Sequence, residues 1–332
     1  MVLLPTYVAG VDPPFPVYYE QALEQVELAE ELGFSCFWFT EHHFIPYGGP
    51  IPNPSVFIAA AAARTSRIRL GCSVSVLPLH HPLHAAEDYA MADALSHGRL
   101  EFGMGVGNNR SEYEQLGVAP DEGRSRFAEA QAIILGAWSQ ERFSYEGQFW
   151  RCEDVALYPR PAQTPHPPIW IAGSSEATFS LAGRRGFNIM TVAHPREPEA
   201  VRPGVAAWRA GLAEAGLEPA SRHCLIHLRG FVDENAQRAA RVAESAITCY
   251  EQLSAHGLGR APSTQAYDWA GMLATGRNVY GDPDGMIEAM RQTTRHFDFD
   301  TFGMGFNFGG IPHTDVVKAM RLFAREVMPA FA

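Results

Sequence analysis

The feature that most constrains this chain is a rhythm. Short apolar runs alternate with longer stretches whose apolar residues recur at helical spacing, from one end to the other. Strands are predicted at 2–8, 36–39, 68–77, 99–106, 168–173, 187–192, 223–232 and 300–306. Helices are predicted at 18–33, 55–66, 81–96 and 126–139, then from Ser174 onward, at 197–215, 233–255 and 315–328, with a further one near 283–296. In the first of them Leu23, Val26, Ala29 and Leu32 form the stripe, and Gly98 stands where the third needs a C-cap glycine. Eight strands alternating with eight helices favour an α/β fold of the closed (β/α)8 TIM-barrel type over an open doubly wound sheet.

The rhythm breaks once. The stretch 142–157, RFSYEGQFWRCEDVAL, reads as a β-hairpin turning at Glu146–Gly147. It leads into YPRPAQTPHPP, with five prolines in eleven residues. Such a segment can be a stiff linker between domains. Because the alternation resumes at once, we read it as an excursion inserted before the fifth strand of a single domain, 1–332. No repeat of 20–50 residues is visible, but FGMG occurs at 102–105 and again at 302–305. In extended backbone Gly103, Gly105 and Gly107 share one face, as do Gly303 and Gly305. A face without side chains would let a flat ligand approach the backbone, unless the echo is chance.

Chemistry is expected at the C-terminal ends of barrel strands. WFTEHHF, 38–44, ends the second strand with Glu41, His42 and His43. Alternation puts Trp38, Thr40 and His42 on one face and Phe39 and Glu41 on the other, so one histidine faces the mouth while its neighbour packs sideways. With His80, His81 and His84 these make five histidines by residue 84, which raises a metal-dependent barrel hydrolase as an alternative. HHPLH, however, opens a helix with Pro82 in its first turn, and HExxH is absent, so no metal is expected. AGSSEAT carries the fifth strand into a helix. Ser174 and Ser175 there suit an anion such as phosphate, or simply cap the helix. GMGVGNNR lacks the spacing of a dinucleotide fingerprint, and no GxSxG or Walker sequence occurs.

The net charge of −11 argues against a nucleic-acid partner. Lys318 is the only lysine, which excludes Schiff-base chemistry elsewhere in the chain. Five scattered cysteines with no CxxC pair suggest a reducing compartment. The N-terminus shows no secretory pattern, and AAAAAR near residue 60 is too short to span a bilayer. A cytoplasmic location without membrane association is expected.

Several stretches together resemble the bacterial luciferase-like flavin monooxygenases: LGFSCFWFTEHHF, LGCSVSVLPLHHP, ALSHGRLEFGMGVG, PHPPIWIAGSS and LFAREVMPAF, in the family's order from about residue 17 to the end. The resemblance implies a (β/α)8 barrel holding reduced FMN, or in some branches a reduced deazaflavin. It implies His42 as the active-site histidine with Glu41 beside it, and Ser73–Val74 as a non-prolyl cis peptide against the flavin ring. It also implies that Gly105, Val106, Gly107 and Asn108 line the isoalloxazine and that Gly173, Ser174 and Ser175 hold the phosphate. The sequence departs from luciferase at Val106, where luciferase has an arginine reaching that phosphate; anchoring then rests on the serine turn, with Arg110 or Arg124 as candidate helpers. The implied reaction is oxygenation of a small organic substrate by O2 through a flavin peroxide. Reduced flavin would come from a separate reductase, and the chain would work as a homodimer. Deazaflavin-dependent hydride transfer and non-catalytic flavin binding are the further alternatives.

Overall fold

The computed structural model describes residues 1–257 and 267–331. The glycine-rich stretch expected after residue 255 lies partly outside them. The elements in order are β1 (Val2–Leu3), α1 (Phe15–Glu31), β2 (Cys36–Phe39), α2 (Pro54–Ala62), β3 (Arg69–Val76), α3 (Pro82–Leu95), β4 (Leu100–Gly105), α4 (Arg110–Gln115) and α5 (Gly123–Ser139). The hairpin β5 (Phe143–Glu146) and β6 (Arg151–Val155) follows, then β7 (Ile169–Ala172), α6 (Glu176–Arg184), β8 (Asn188–Val192), α7 (Pro198–Glu214) and β9 (Cys224–Val232). The chain continues with α8 (Ala236–Gly257), α9 (Trp269–Ala274), β10 (Val279–Gly281), α10 (Pro283–Phe297), β11 (Thr301–Gly305) and α11 (His313–Leu322).

β1, β2, β3, β4, β7, β8, β9 and β11 pair in parallel in that order, as the staves of a nearly closed barrel. Between β11 and β1 there is no ladder among the described residues. Side chains close that seam: a Cβ on Gly305 would stand 2.9 Å from Leu4 Cδ1. β9 is long enough for two partners. Its Leu225–Arg229 pairs with β11, and Gly230–Val232 takes the extra strand β10, which the sequence pattern did not announce.

Local chemistry explains most boundaries. Pro5 ends β1 after two residues, well short of the predicted 2–8, because proline has no N–H to give the ladder. α2 starts where the Asn53 side chain accepts from Ser55 and Val56 N–H. α3 ends at Leu95 with Ser96 as its cap. His97 at φ +55° takes the left-handed position expected of Gly98, which follows it and donates its N–H to Asp93 O at 2.9 Å. The hairpin reverses one step later than predicted, since Glu146 still pairs with Arg151. Glu129 on α5 pins the loop by accepting from Gln148 N–H (2.7 Å) and Phe149 N–H (3.1 Å). α6 begins at Glu176 and not at Ser174, because Ser175 is extended and its Oγ caps Thr178 N–H at 3.2 Å.

The core has two parts. Between staves and helices lie buried Phe37, Phe39, Ile58, Phe102 and Trp138, each burial stabilising by about 1.5–3 kcal/mol. Inside the barrel, the lower end is filled by Trp38 edge-on to Trp170 at 5.1 Å. Beneath them Glu101 accepts from Trp170 Nε1 (2.5 Å) and from Arg69. Arg69, itself half-buried, also donates to Leu100 O and Gln163 Oε1, so this polar layer is fully bonded. The upper, C-terminal ends of the same staves are left to the loops.

Candidate functional site at the barrel mouth

The mouth is built by the loops after β2, β3, β4, β7 and β8, which are consecutive around the barrel. After β2, His42 turns inward. Its Nδ1 lies 2.9 Å from Glu112 Oε1, and its ring rests 4.8 Å from that of Tyr47. Gly48, at φ +73°, is required there, since a Cβ would come within 2.2 Å of the imidazole. A carboxylate only accepts, so the proton sits on Nδ1 and leaves Nε2 as the free, accepting nitrogen. Glu112 also accepts from His43 N–H at 3.0 Å, which fixes the backbone of the pair.

Glu112 stands on α4, where the sequence reading expected only a polar loop. NNRSE does carry a helix-start signal, Asn109 followed three residues later by glutamate. Asn109 is indeed the N-cap, accepting from Ser111 N–H at 3.1 Å, but the glutamate reaches across to His42 instead of back to the cap.

Glu41 points the other way, as strand alternation predicted. Its buried carboxylate accepts from His80 Nε2 (2.7 Å), His43 Nε2 (3.2 Å) and Val76 N–H (3.2 Å). Burial pushes the Glu41 carboxyl up, but the hydrogen bonds and charge of the two histidines outweigh it and hold it at about 2. Burial likewise pulls His80 down, and Glu41 reverses that to a net upward shift. His81 and His84 lie apart from this group, ring to ring at 5.1 Å on the first turn of α3.

On β3 the Ser73–Val74 peptide is cis. Ser73 Oγ lies 2.6 Å from Nε2 of His227, a residue of β9 that the sequence reading did not single out. Burial drives His227 down to about 3, so it is neutral. The glycine rows do not leave an open floor. A Cβ on Gly303 would stand 2.2 Å from His227 Nδ1, and one on Gly103 would stand 2.1 Å from Cys72 O. The glycines at 105 and 107 make room for Val74 and Val76 of β3. Val106 accepts from the Tyr113 hydroxyl through its carbonyl, and Asn108 is exposed at the rim.

The turn Gly173–Ser175 follows β7, and Gly173 N–H donates to Met190 O at 3.1 Å. Neither Arg110 nor Arg124 bonds this turn: Arg110 pairs with Glu114 on its own helix, and Arg124 is exposed. The arginine that does is Arg196, from the loop after β8, whose Nη1 donates to Ser174 Oγ at 2.8 Å. No periodic or capping signal marked it in HPRE. Burial alone lowers its pKa, and it has no carboxylate partner among the described residues.

The family described as luciferase-like monooxygenase matches residues 2–293. The chain belongs to that family. The crystal structure of a monooxygenase from Streptomyces bottropensis superposes with a TM-score of 0.93 at 31% identity, covering 100% of this chain and 99% of that one. The oxygenase component of a flavin-dependent trigonelline monooxygenase from Acinetobacter baylyi is 32% identical over 173 residues, 52% of this chain and 48% of that protein. An F420-dependent glucose-6-phosphate dehydrogenase from Beutenbergia cavernae is 29% identical over 321 residues, 91% of this chain and 90% of that protein. The chain spans about half the length of the first curated relatives it matches.

Proposed function

We propose that this chain is a flavin-dependent monooxygenase, an oxidoreductase that holds reduced FMN at the barrel mouth and uses O2 to oxygenate a small organic substrate. The observation that carries the cofactor is a set of buried polar atoms without partners. Apart from Asn278 Oδ1, just before β10, those among the described residues are Ser75 Oγ, Asn109 Nδ2, Thr191 Oγ1, His194 Nδ1, Arg196 Nε and His227 Nδ1. All belong to the upper halves of staves or to the loops that leave them. A buried unpaired polar atom costs about 1–3 kcal/mol, so a cluster of them at one end fits a site that a polar ligand completes.

In this reading Ser174, Ser175 and Arg196 hold the phosphate at the N-terminus of α6, whose dipole favours an anion. Arg196 supplies the cation that Val106 does not. Ser73, Val74, Gly105, Val106, Gly107 and Asn108 border the ring, with Glu41 bracing the β2 loop behind it. Bound there, reduced flavin supplies the electrons that activate O2. Each protein group then has a definite task. Glu112 keeps the His42 proton on Nδ1, so Nε2 accepts a proton from the reacting centre and returns it as general base and then acid. Neutral His227 holds the Ser73 hydroxyl. Tyr47, stacked edge-on with Tyr250 at 4.7 Å, walls the mouth and helps exclude water.

The name of the trigonelline relative, an oxygenase component, supports a separate reductase as the source of reduced flavin. Exposed Val56 on α2 with Met91 and Leu95 on α3 supports a homodimer through that face. The unpaired cysteines support a reducing, cytoplasmic setting, and no described helix is long and apolar enough to cross a membrane.

The F420-dependent relative, matched over most of both chains, supports a second reading in which a deazaflavin transfers hydride. Anaerobic titration with reduced FMN and with reduced deazaflavin, followed by aerobic turnover with a reductase and a substrate panel, separates the two. Tighter binding of the deazaflavin with no O2 consumption would overturn the monooxygenase reading.

A further inference from the structure

The motif after β2 carries two histidines, and the reaction above uses one. His43 turns away from the mouth toward Glu41, where it meets His80 from the loop after β3. Glu41 Oε1 and the two Nε2 atoms lie within 4.8 Å of one another. The Glu41 side chain is 0% exposed, those of His43 and His80 are 14% and 30%, so the group is closed behind the carboxylate and open on the imidazole side. Val76 N–H holds the other carboxylate oxygen and aims Oε1 at the histidines.

We propose that Glu41, His43 and His80 form a binding site for a divalent cation of the Zn²⁺ class. Two imidazole nitrogens and one carboxylate oxygen make a donor set that suits Zn²⁺, Co²⁺ or Ni²⁺ and not Mg²⁺ or Ca²⁺. Three protein ligands leave a fourth position for water on the exposed side. The Val76 amide is the outer-shell hydrogen bond that such carboxylate ligands use for orientation. In the metal-free protein two N–H···O bonds join the same atoms. The cation takes the two Nε2 lone pairs, so each neutral ring carries its proton on Nδ1 instead, and an imidazolium must first lose one; binding therefore weakens in acid. Bound, it clamps the loop after β2 to the loop after β3 directly behind His42. This departs from the sequence reading, which set His80 aside with the start of the helix: His80 precedes α3, and the pairing of β2 with β3 brings it to Glu41. The proposal stands independently of the flavin reading.

The test titrates Zn²⁺ alone into the full chain by calorimetry. It uses a His81→Ala/His84→Ala background, since that neighbouring pair can bind metal adventitiously. One ion per chain is expected. His80→Gln, a partly exposed change that leaves Glu41 paired with His43, should weaken binding by at least the ~10–100-fold that loss of an outer-shell partner alone costs. Zn²⁺ should also raise the thermal midpoint of the background protein but not of His80→Gln or His43→Gln, because only binding to the native state stabilises. Co²⁺ should show the intense visible bands of a tetrahedral site. Equal affinity in the background protein and in His80→Gln, or no binding in either, would overturn the site and leave a proton-bridged ion pair.

Discussion

The two ends of the barrel are made from the same staves and solve opposite problems. At the lower end buried Glu101 and Trp170 with half-buried Arg69 and Gln163 form a polar layer in which every side-chain donor has an acceptor. Gln163, from the proline-rich excursion, completes it by donating to Asp93 Oδ1 at 2.8 Å and to Leu100 O at 2.9 Å. At the upper end the buried atoms of Asn109, Thr191, His194, Arg196 and His227 have no such partners. A fully satisfied layer rigidifies the fold, whereas a half-satisfied one is costly by itself and is kept where something else binds. The difference gives stability to one end and, in the proposed function, chemistry to the other.

The largest effect that would sharpen this contrast belongs to the mouth. His42→Ala should lower turnover by about 10²–10⁴, the usual worth of a positioned acid–base, with the fold retained because Glu112 keeps the His43 N–H. Oxygen consumption should persist and release hydrogen peroxide. His43→Ala should do less, since His43 faces Glu41 and not the mouth. Product formed per reduced flavin consumed, measured for both variants, checks this. A collapse confined to His43→Ala would mean that the histidines have exchanged roles.

At the lower end the order of effects should invert. Glu101→Ala leaves the one-third-exposed Arg69 without its carboxylate and buried Trp170 Nε1 without its acceptor, and should cost about 1–3 kcal/mol in urea unfolding. Cofactor affinity per folded molecule should not change. If Glu101→Ala unfolds at the parent's midpoint, or loses reduced-flavin binding while folded, the division between the ends fails.

A smaller change tests the phosphate cup. Arg196→Gln should weaken FMN by roughly 10–100-fold, the worth of a charge-assisted hydrogen bond, and leave riboflavin, which lacks the phosphate, nearly unaffected. Equal losses for the two ligands would move the phosphate elsewhere and leave the ring site standing.

The smallest effect concerns acid. Burial, with the nearby charge of Arg229, holds His194 at about 4, and burial holds His227 at about 3, so both are neutral in the native state. The unfolded chain protonates them near pH 6.5. Their contribution is therefore complete above that pH and falls as pH drops toward 4, by up to about 1.4 kcal/mol per unit for each group. His80, shifted upward beside Glu41, works in the opposite sense and above that range: its contribution is complete below about pH 6.5 and is lost as the pH rises through its raised value. Below about pH 4.5 Glu41, held at about 2, joins the loss. Urea midpoints between pH 7 and 5 should fall, and His227→Gln should flatten the slope. A pH-independent midpoint would contradict the burial of these groups.

What the sequence determined by itself is local. The alternation of apolar runs and helical stripes specified staves, helices and their order, and so the barrel and the end that bears the loops. Ser175 announced its helix start because a cap acts within a few residues, whereas His97 took the left-handed turn expected of Gly98. EHH and the serine turn were legible for the same reason: each lies where a strand must stop. What only the tertiary structure decided is which polar atom meets which. His42 finds Glu112 across 70 residues, Ser73 finds His227 across 154, and Ser174 takes Arg196 from a different stave's loop. The glycine rows carried one sequence expectation, a bare floor for a ligand, and the closed barrel filled it with His227 and the chain of β3. Periodicity records only whether a side chain faces inward. The partner it meets there depends on the stagger and closure of the staves, which no short stretch of chain encodes.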